Sequence, residues 1–497
     1  MTVKVNRILL IDVEFDKQEG KKNSLQGSAL TNHPLGLMYL KSAVNHAFKN
    51  IEVRIIHTVT LNDTQHDIGE ILDDFMPDMV GLRSLSLFME QFSNVARLVR
   101  KRRPEACLVG GGPYPSASPE MVLEDGLVDL VVIGEGEESF VQLLETIIKT
   151  QTLPLTLAGT AVLDGGKTRI NPAFPLIADI DTITFPDYDS VNLEEYHGLY
   201  NHSYLSASDC AFIMGSRGCP YKCFYCHDNF GKRIRRRSAK NVVEEMKALV
   251  HSKGVGDFVF VDDTFNLRPS LGKETLRLIA KELPGIKLHF PNGLRADVFD
   301  DEYIDLFEKA GTVTMAMAIE TATPRIQRII GKNLDIDKAV KTIMAASQRF
   351  IMRVFFMVGF PSETIEEARN TLELAKKMVH VTEPMLSIMR VYPSTPIYDM
   401  LKPTPEQAKI LERQSSHALV QGLFDDPQFY GDIFSEEMVP LRSNDIKGFQ
   451  VEWLKNVVMH KERIRTSAQV VKKCLNDEDA RSYYQYVYGT PRFSDDV

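Results

Sequence analysis

Cys219, Cys223 and Cys226 fall within eight residues of a 497-residue chain, in the run Gly215-Ser216-Arg217-Gly218-Cys219-Pro220-Tyr221-Lys222-Cys223-Phe224-Tyr225-Cys226. Thiolates are soft metal ligands, and gaps of three and two residues in a loop after an apolar strand let all three reach one centre. Two centres suit that donor set. A closed zinc site needs a fourth ligand, which the adjacent His227 supplies. A four-iron four-sulfur cluster takes three cysteines and leaves one iron open to chelate a small molecule. Cys107, Cys210 and Cys474 stand apart in sequence. The six cysteines therefore lack the paired spacing of a small secreted scaffold, and a reducing, cytoplasmic setting is expected.

The elements that position this loop are apolar runs separated by helical patterns: 211–214, 258–262, 288–290, 313–320, 353–359 and 386–391. One intervening helix is marked by Val242, Met246 and Leu249 on a single face after a Ser238 N-cap. Six parallel strands wound in this way predict a partial (β/α)6 barrel over residues 206–400, with chemistry at the carboxyl ends of the strands. Asp262 and Asp263, Asn292 and Arg295, Glu320, Gly359 and Tyr392 all fall at such ends. The carboxylates suit an ammonium group and Arg295 suits an anion. Helix capping, a surface ion pair and a tight turn are the structural alternatives for the same residues.

Cys-x3-Cys-x2-Cys with Tyr225 before the last cysteine resembles the signature of the radical S-adenosylmethionine (SAM) superfamily. The resemblance implies a 4Fe-4S cluster on Cys219, Cys223 and Cys226 whose open iron binds SAM, and reductive cleavage of SAM to a 5'-deoxyadenosyl radical. It places Tyr225 near the adenine, Asp262 or Asp263 at the SAM amino group, and Arg295 at the SAM carboxylate or a substrate anion. Glu320 would bind SAM or order Arg295, backbone groups at Gly359 would reach the adenine, and Tyr392 would face substrate. An electron donor such as flavodoxin or ferredoxin is the implied partner.

Residues 1–150 read as an open, flavodoxin-like (Rossmann-type) α/β domain. Aliphatic runs at 7–12, 53–57, 79–83, 107–110 and 130–134 alternate with amphipathic segments, as a parallel sheet covered on both faces demands. Ligands of such sheets sit beyond the carboxyl ends of the strands. There the chain offers Ser84 and Ser86, then Gly110, Gly111, Gly112 and Pro113, then Gly134 and Glu135. This pattern resembles the cobalamin-binding domain that precedes the catalytic domain in many radical SAM enzymes, and the resemblance assigns those eight residues to cobalamin. One departure stands out. Some cobalamin proteins carry Asp-x-His-x-x-Gly after the first strand, with the histidine on cobalt, whereas here Asp12 is followed by Val13, Glu14 and Phe15. Asp63, His66 and Gly69 have the wrong spacing, so His66 is expected at the surface and the lower face of the corrin is expected to lack a protein imidazole.

Residues 151–205 read as a linker carrying a hairpin around Asp164-Gly165-Gly166-Lys167. Residues 401–497 read as a helical region, with helices near 407–419 and 444–473, a packed Trp453, and a position over the barrel mouth. The basic run Lys232, Arg233, Arg235, Arg236 and Arg237 is expected to offset cluster charge and pair with acidic neighbours. At 44% hydrophobic and 25% charged residues the composition is that of a globular protein. A net charge of -9 argues against wholesale nucleic-acid binding, and no run of about 18 apolar residues predicts a membrane span. The expected reaction is cobalamin-dependent methylation of an unactivated carbon in a small molecule. The rivals are a non-methylating radical reaction (cyclisation, dehydration or epimerisation) and a zinc-stabilised RNA-binding protein.

Overall fold

The computed structural model describes residues 4–18, 31–199, 201, 207–228, 230–417 and 429–488. The chain forms two compact units, the first built from Met1–Leu199 with two short later segments and the second from the remainder.

The first unit is one seven-stranded sheet: β1 (Arg7–Val13), β2 (Glu52–His57), β3 (Met79–Ser84), β4 (Cys107–Gly111), β5 (Leu130–Val132), β6 (Thr160–Asp164) and β7 (Lys167–Ile170), in the order β2-β1-β3-β4-β5-β6-β7. The alternating side chains of β1 explain its two-sided burial. Leu9 and Ile11 join Ile68, Leu72, Phe92 and Val95 in one core, while Ile8 and Leu10 join Leu37, Val44, Phe140 and Leu143 in the other. β1 through β5 are parallel, and the chain leaves β1 for β2 on one side before returning to β3 on the other. That reversal is the switch point at which such sheets bind ligands. The hairpin expected in the linker instead extends this sheet. β6 pairs antiparallel with β5, Leu130 opposite Val162, so the N-terminal sheet runs past residue 150 to Ile170. The short β5 has an edge to complete, and the hairpin buries Ala161 and Val162 there.

In the second unit, β8 (Cys210–Ile213), β11 (Asp257–Phe260), β12 (Lys287–Leu294), β13 (Thr312–Glu320), β14 (Ile351–Val358) and β15 (Glu383–Ile388) form a parallel sheet in the order β15-β14-β13-β12-β11-β8. These are the six expected strands of a partial barrel. A two-stranded ribbon, β9 (Ser216–Arg217) against β10 (Arg235–Arg236), closes the base of the cysteine loop. Helices follow the strands with regular caps. Ser238 accepts from the Asn241 N–H, and Thr364 with Glu367 forms a capping box at the helix Ile365–Lys377.

Several side chains of the C-terminal helices Ser443–Trp453, Lys461–Cys474 and Asp477–Tyr488 brace the amino end of the sheet. Trp453 Nε1 donates to the Pro384 carbonyl (3.1 Å) and the Tyr483 hydroxyl donates to Glu383, both at the start of β15. Fully buried Arg463 donates to the carbonyls of Ala375, Met378, Val381 and Val457, capping the end of the helix Ile365–Lys377. At the carboxyl end of β14 the Tyr430 hydroxyl donates to the Gly359 carbonyl (2.7 Å), the Ser362 N–H donates to the Met438 carbonyl (2.8 Å), and Ile446 lies beside Gly359. The first expected helix is Pro405–His417, and residues 418 and 419 lie outside the described residues. Among the described residues no helix is long and apolar enough to cross a membrane.

Candidate functional site

The ribbon β9–β10 projects the cysteine loop beyond the carboxyl ends of β8 and β11. The Phe224 N–H donates to Ile330, and the Phe224 carbonyl accepts from the Ile397 N–H. Gly331, at φ +71°, packs against the loop so closely that a Cβ there would lie 2.5 Å from the Lys222 carbonyl oxygen. Glycine is required at that position by both contact and conformation.

The three thiols act on one another electrostatically. Cys226 is pushed up to about 12, first by burial and then by Cys223 and Cys219. Cys223 is raised by burial and opposed by Lys332. Thiolates so placed need shared positive charge, which iron supplies. Cys107 and Cys210 are buried, each pushed up to about 12 by desolvation, and the Cys474 thiol donates to the Arg349 carbonyl (3.4 Å). These three are bystanders.

Glu320 ends β13 at φ +65°, a left-handed conformation that costs a non-glycine residue about 1–3 kcal/mol and tends to persist at functional sites. Its Oε1 accepts from the Tyr225 hydroxyl (3.1 Å) and from Lys332 Nζ (2.8 Å), while its buried Oε2 has no protein partner. Burial together with the charges of Glu320 and Cys223 pushes the Tyr225 hydroxyl up, so it stays protonated and donates. Tyr225 also lies 6.1 Å from the Phe360 ring. The structure thus joins Tyr225 and Glu320, both expected at the SAM site, to Lys332 and Gly331, which sequence reasoning did not single out. The Gly331-Lys332-Asn333 triplet after the helix Pro324–Ile329 was the available signal.

Several expected residues turn out to serve the scaffold. Arg295 donates to both Asp297 oxygens (2.7 and 2.9 Å) and to the carbonyls of Lys332 and Asn333, and it stacks on Tyr221 at 3.9 Å. It braces the Lys332 loop and the cysteine loop, with its guanidinium committed to protein partners. Asp262 is buried and accepts from Ser216 Oγ and the Gly215 N–H, which anchors β9. Burial raises its carboxyl, and Arg236 opposes that shift. Asp263 accepts from the Gly218 N–H (3.2 Å), next to Cys219. At Gly359 the N–H donates to Glu363 (2.6 Å) and the carbonyl accepts from Tyr430, so both backbone groups are engaged within the protein. The same glycine, at φ +91°, leaves room for the Phe429 ring, which a Cβ would meet at 2.6 Å. Asn292 donates to the Asp262 carbonyl, and half-buried Tyr392 follows β15 with its hydroxyl raised by burial. Within the basic run Arg237 pairs with buried Glu245, as expected, and Arg236 lies over Phe265, whereas Lys232 and Arg233 are exposed.

In the first unit the loops after β4 and β5 separate cleanly into scaffold and open cradle. Gly110 packs against Pro115, Val122 and Val131, and a Cβ at Gly112 (φ +81°) would lie 2.5 Å from Arg83 Cγ. At Gly111 the nearest atom to an added Cβ is 3.9 Å away, and at Gly134 (φ +87°) nothing lies within 4 Å. Pro113 opens a short helix, Pro113–Ala117, and Ser86 opens a 3-10 turn, Ser86–Phe88. Ser84 is fully buried, its hydroxyl donating to Leu85, and buried Glu135 accepts from the Ile177 N–H (3.0 Å), so both face protein. His66 is exposed, as expected.

The family model for the radical SAM superfamily matches residues 213–375, and that for the B12 binding domain matches residues 27–144. An uncharacterised methyltransferase of Pyrococcus horikoshii is 30% identical over 402 residues, 80% of this chain and 83% of the relative. The chain belongs to the cobalamin-dependent radical SAM enzymes. Its cofactors are accordingly a 4Fe-4S cluster, SAM and cobalamin. Cytidylyl-2-hydroxyethylphosphonate methyltransferase of Streptomyces wedmorensis is 28% identical over 63% of this chain and 64% of that protein. The family also includes a cyclase relative, the anaerobic magnesium-protoporphyrin IX monomethyl ester cyclase of Rubrivivax gelatinosus, at 23% over 78% of this chain and 69% of the cyclase. The same fold occurs in the radical SAM methyltransferase TsrM of Kitasatospora setae (TM-score 0.63, 20% identity, 80% of this chain and 75% of that one). It occurs also in the cobalamin-dependent radical enzyme OxsB (TM-score 0.67, 15% identity, 97% of this chain and 70% of that one).

The donor sets fit these groups. Three thiols on one loop and an unpartnered carboxylate oxygen on Glu320 suit an iron cluster with a cationic cosubstrate beside it. The glycine-lined loops after β4 and β5 suit the close approach of a large planar ligand.

Proposed function

We propose that this radical SAM enzyme methylates an unactivated carbon of a small molecule. The observation that carries the reading is the joining, in one chain, of a B12 binding domain and a radical SAM domain, aligned over 80% of its length with a methyltransferase relative. Bound, the cluster supplies the electron that cleaves SAM and cobalamin supplies the methyl group. The protein contributes geometry. Cys219, Cys223 and Cys226 are the proposed cluster ligands, on a loop held by Asp262, Asp263 and Gly331. Glu320 Oε2 would accept a hydrogen bond from bound SAM, while Tyr225 and Lys332 hold Oε1 and fix the carboxylate. Tyr225 and Phe360, whose rings lie 6.1 Å apart, would border the adenine, and Tyr392 would border the substrate. Ser86, Gly111, Pro113 and Gly134 line the cobalamin cradle. A flavodoxin or ferredoxin delivers the electron, and free thiols throughout suit a reducing cytoplasm.

The cyclase relative keeps a second reading alive, ring closure without methyl transfer. The anaerobic enzyme, reconstituted with cluster, cobalamin and SAM bearing a trideuterated methyl group, distinguishes the two in a small-molecule extract. A product three mass units heavier than a protiated control supports methylation. Formation of 5'-deoxyadenosine with no label in any product refutes it and favours ring closure.

A further inference from the structure

In the first unit the parallel register sets Asp12 of β1 beside His57 of β2 on one side and Arg83 of β3 on the other. Glu14 lies just past the end of β1. One ligand atom from each of Asp12, Glu14 and His57 falls within 4.8 Å of the other two. The side chains of Asp12 and His57 are each 2% exposed and that of Glu14 is 12% exposed. Two carboxylates and an imidazole this deeply buried are unlike the solvated acidic clusters of ordinary surfaces.

The deciding atom is Nε2 of His57. It is buried and makes no hydrogen bond, and the nearest Glu14 oxygen, Oε1, is 3.6 Å away. The far atom of each group is held. His57 Nδ1 is 2.8 Å from the Tyr196 hydroxyl, and Glu14 Oε2 accepts from the Thr31 hydroxyl at 3.1 Å. Nε2 and Oε1 are thus turned toward one space, and fixing an imidazole through its other nitrogen is how proteins orient metal-ligating histidines. With metal–ligand bonds of about 2.0–2.2 Å, donors 3.6 Å apart subtend an angle of roughly 120° at a shared ion. Charge leads the same way. Arg83 donates to both Asp12 oxygens (2.8 and 3.0 Å) and balances one carboxylate, which leaves the other without a full countercharge. Each Asp12 oxygen retains a second lone pair for an ion.

We propose that Asp12, Glu14 and His57 bind a divalent transition-metal ion that ties the ends of β1 and β2 to the turn Leu193–Tyr196. Imidazole with carboxylate suits zinc, manganese or ferrous iron. The rival for the same atoms is a protonated His57 paired with Glu14. The site is independent of the reaction proposed above and stands or falls separately from it.

The test uses the full-length holoenzyme with its cluster oxidised and its corrin as Co(III), both diamagnetic, passed over chelating resin and titrated with Mn2+ under electron paramagnetic resonance. The expected result is one Mn2+ per chain, with pulsed spectra showing coupling to a single imidazole nitrogen that changes isotope in protein carrying 15N-histidine. Glu14→Gln is expected to weaken the site at least tenfold, and Tyr196→Phe to weaken it less. Absence of a stoichiometric site, or a site without imidazole coupling in the unaltered chain, overturns the proposal. So does unchanged affinity and coupling in His57→Ala. The labelled wild-type measurement decides the matter even if that variant does not fold.

Discussion

Replacing Lys332 by Met removes the ammonium that lies 2.8 Å from Glu320 Oε1 and leaves a hydrophobic chain of similar length. The two side chains are 10% and 8% exposed, so water cannot take over the role of the lost charge. Breaking a buried pair from one side costs about 3–5 kcal/mol, because the remaining charge stays desolvated. Glu320 has little freedom to escape, since its backbone is held at φ +65° at a register shift in β13. With a urea dependence of about 3 kcal/mol/M, the loss lowers the unfolding midpoint by roughly 1–1.7 M. The midpoint is read from the visible absorbance of the cluster in protein reconstituted without cobalamin, so that it reports the second unit. A companion variant sharpens the reasoning. Adding Glu320→Gln to Lys332→Met gives a neutral amide that still accepts from Tyr225 and needs no countercharge, so the double variant recovers at least about 2 kcal/mol relative to the sum of the single changes. A loss below about 1 kcal/mol for Lys332→Met, or strict additivity in the double variant, refutes the picture of a desolvated carboxylate held ready for ligand.

Gly331→Ala places a methyl group 2.5 Å from the Lys222 carbonyl at a positive φ, so the cysteine loop shifts and iron per chain after reconstitution falls by half or more, measured by iron and sulfide analysis. Cys226→Ala abolishes the cluster absorbance, whereas Cys474→Ala, at a thiol whose one described hydrogen bond is to Arg349, leaves it within about a tenth of wild type. Glu363 is pushed up to about 8 by burial, from an ordinary 4.5. The folded state therefore holds this proton while the unfolded chain releases it, so its contribution is fully present below pH 4.5 and is lost as pH rises through about 8. Glu363→Gln should flatten the fall of the urea midpoint across that window, and an unchanged slope counts against a buried, protonated Glu363.

The cysteine triplet, the five parallel strands of the first sheet and the six strands of the second were legible in sequence because each depends on local pattern, whereas the order β2-β1-β3-β4-β5 came only from the structure. Continuous aliphatic runs announce strands buried on both faces, and short thiol spacings announce a shared centre. What stayed hidden depends on partners distant in the chain. Arg295 read as an anion ligand because its type and place allow it, yet Asp297 and two carbonyls near residue 332 claim its donors. Gly359 read as a ligand-facing turn, yet Phe429 and Tyr430 take its open side. Ser84 and Glu135 sit at the right strand ends with side chains turned into the protein.

By itself, then, the amino-acid sequence determined which chemistry the chain supports, since thiols, carboxylates and glycines carry their chemical capacity wherever they fall. It determined the two sheets as well, since periodicity is a local property. Only the tertiary structure decided which of the candidates have capacity to spare for a ligand. Glu320 keeps an unpartnered oxygen because Tyr225, 95 residues away, and Lys332 share the other. Asp12 and His57 become neighbours only through the register of β1 on β2. A side chain's hydrogen bonds are exclusive, so its function depends on which of them the fold has already used.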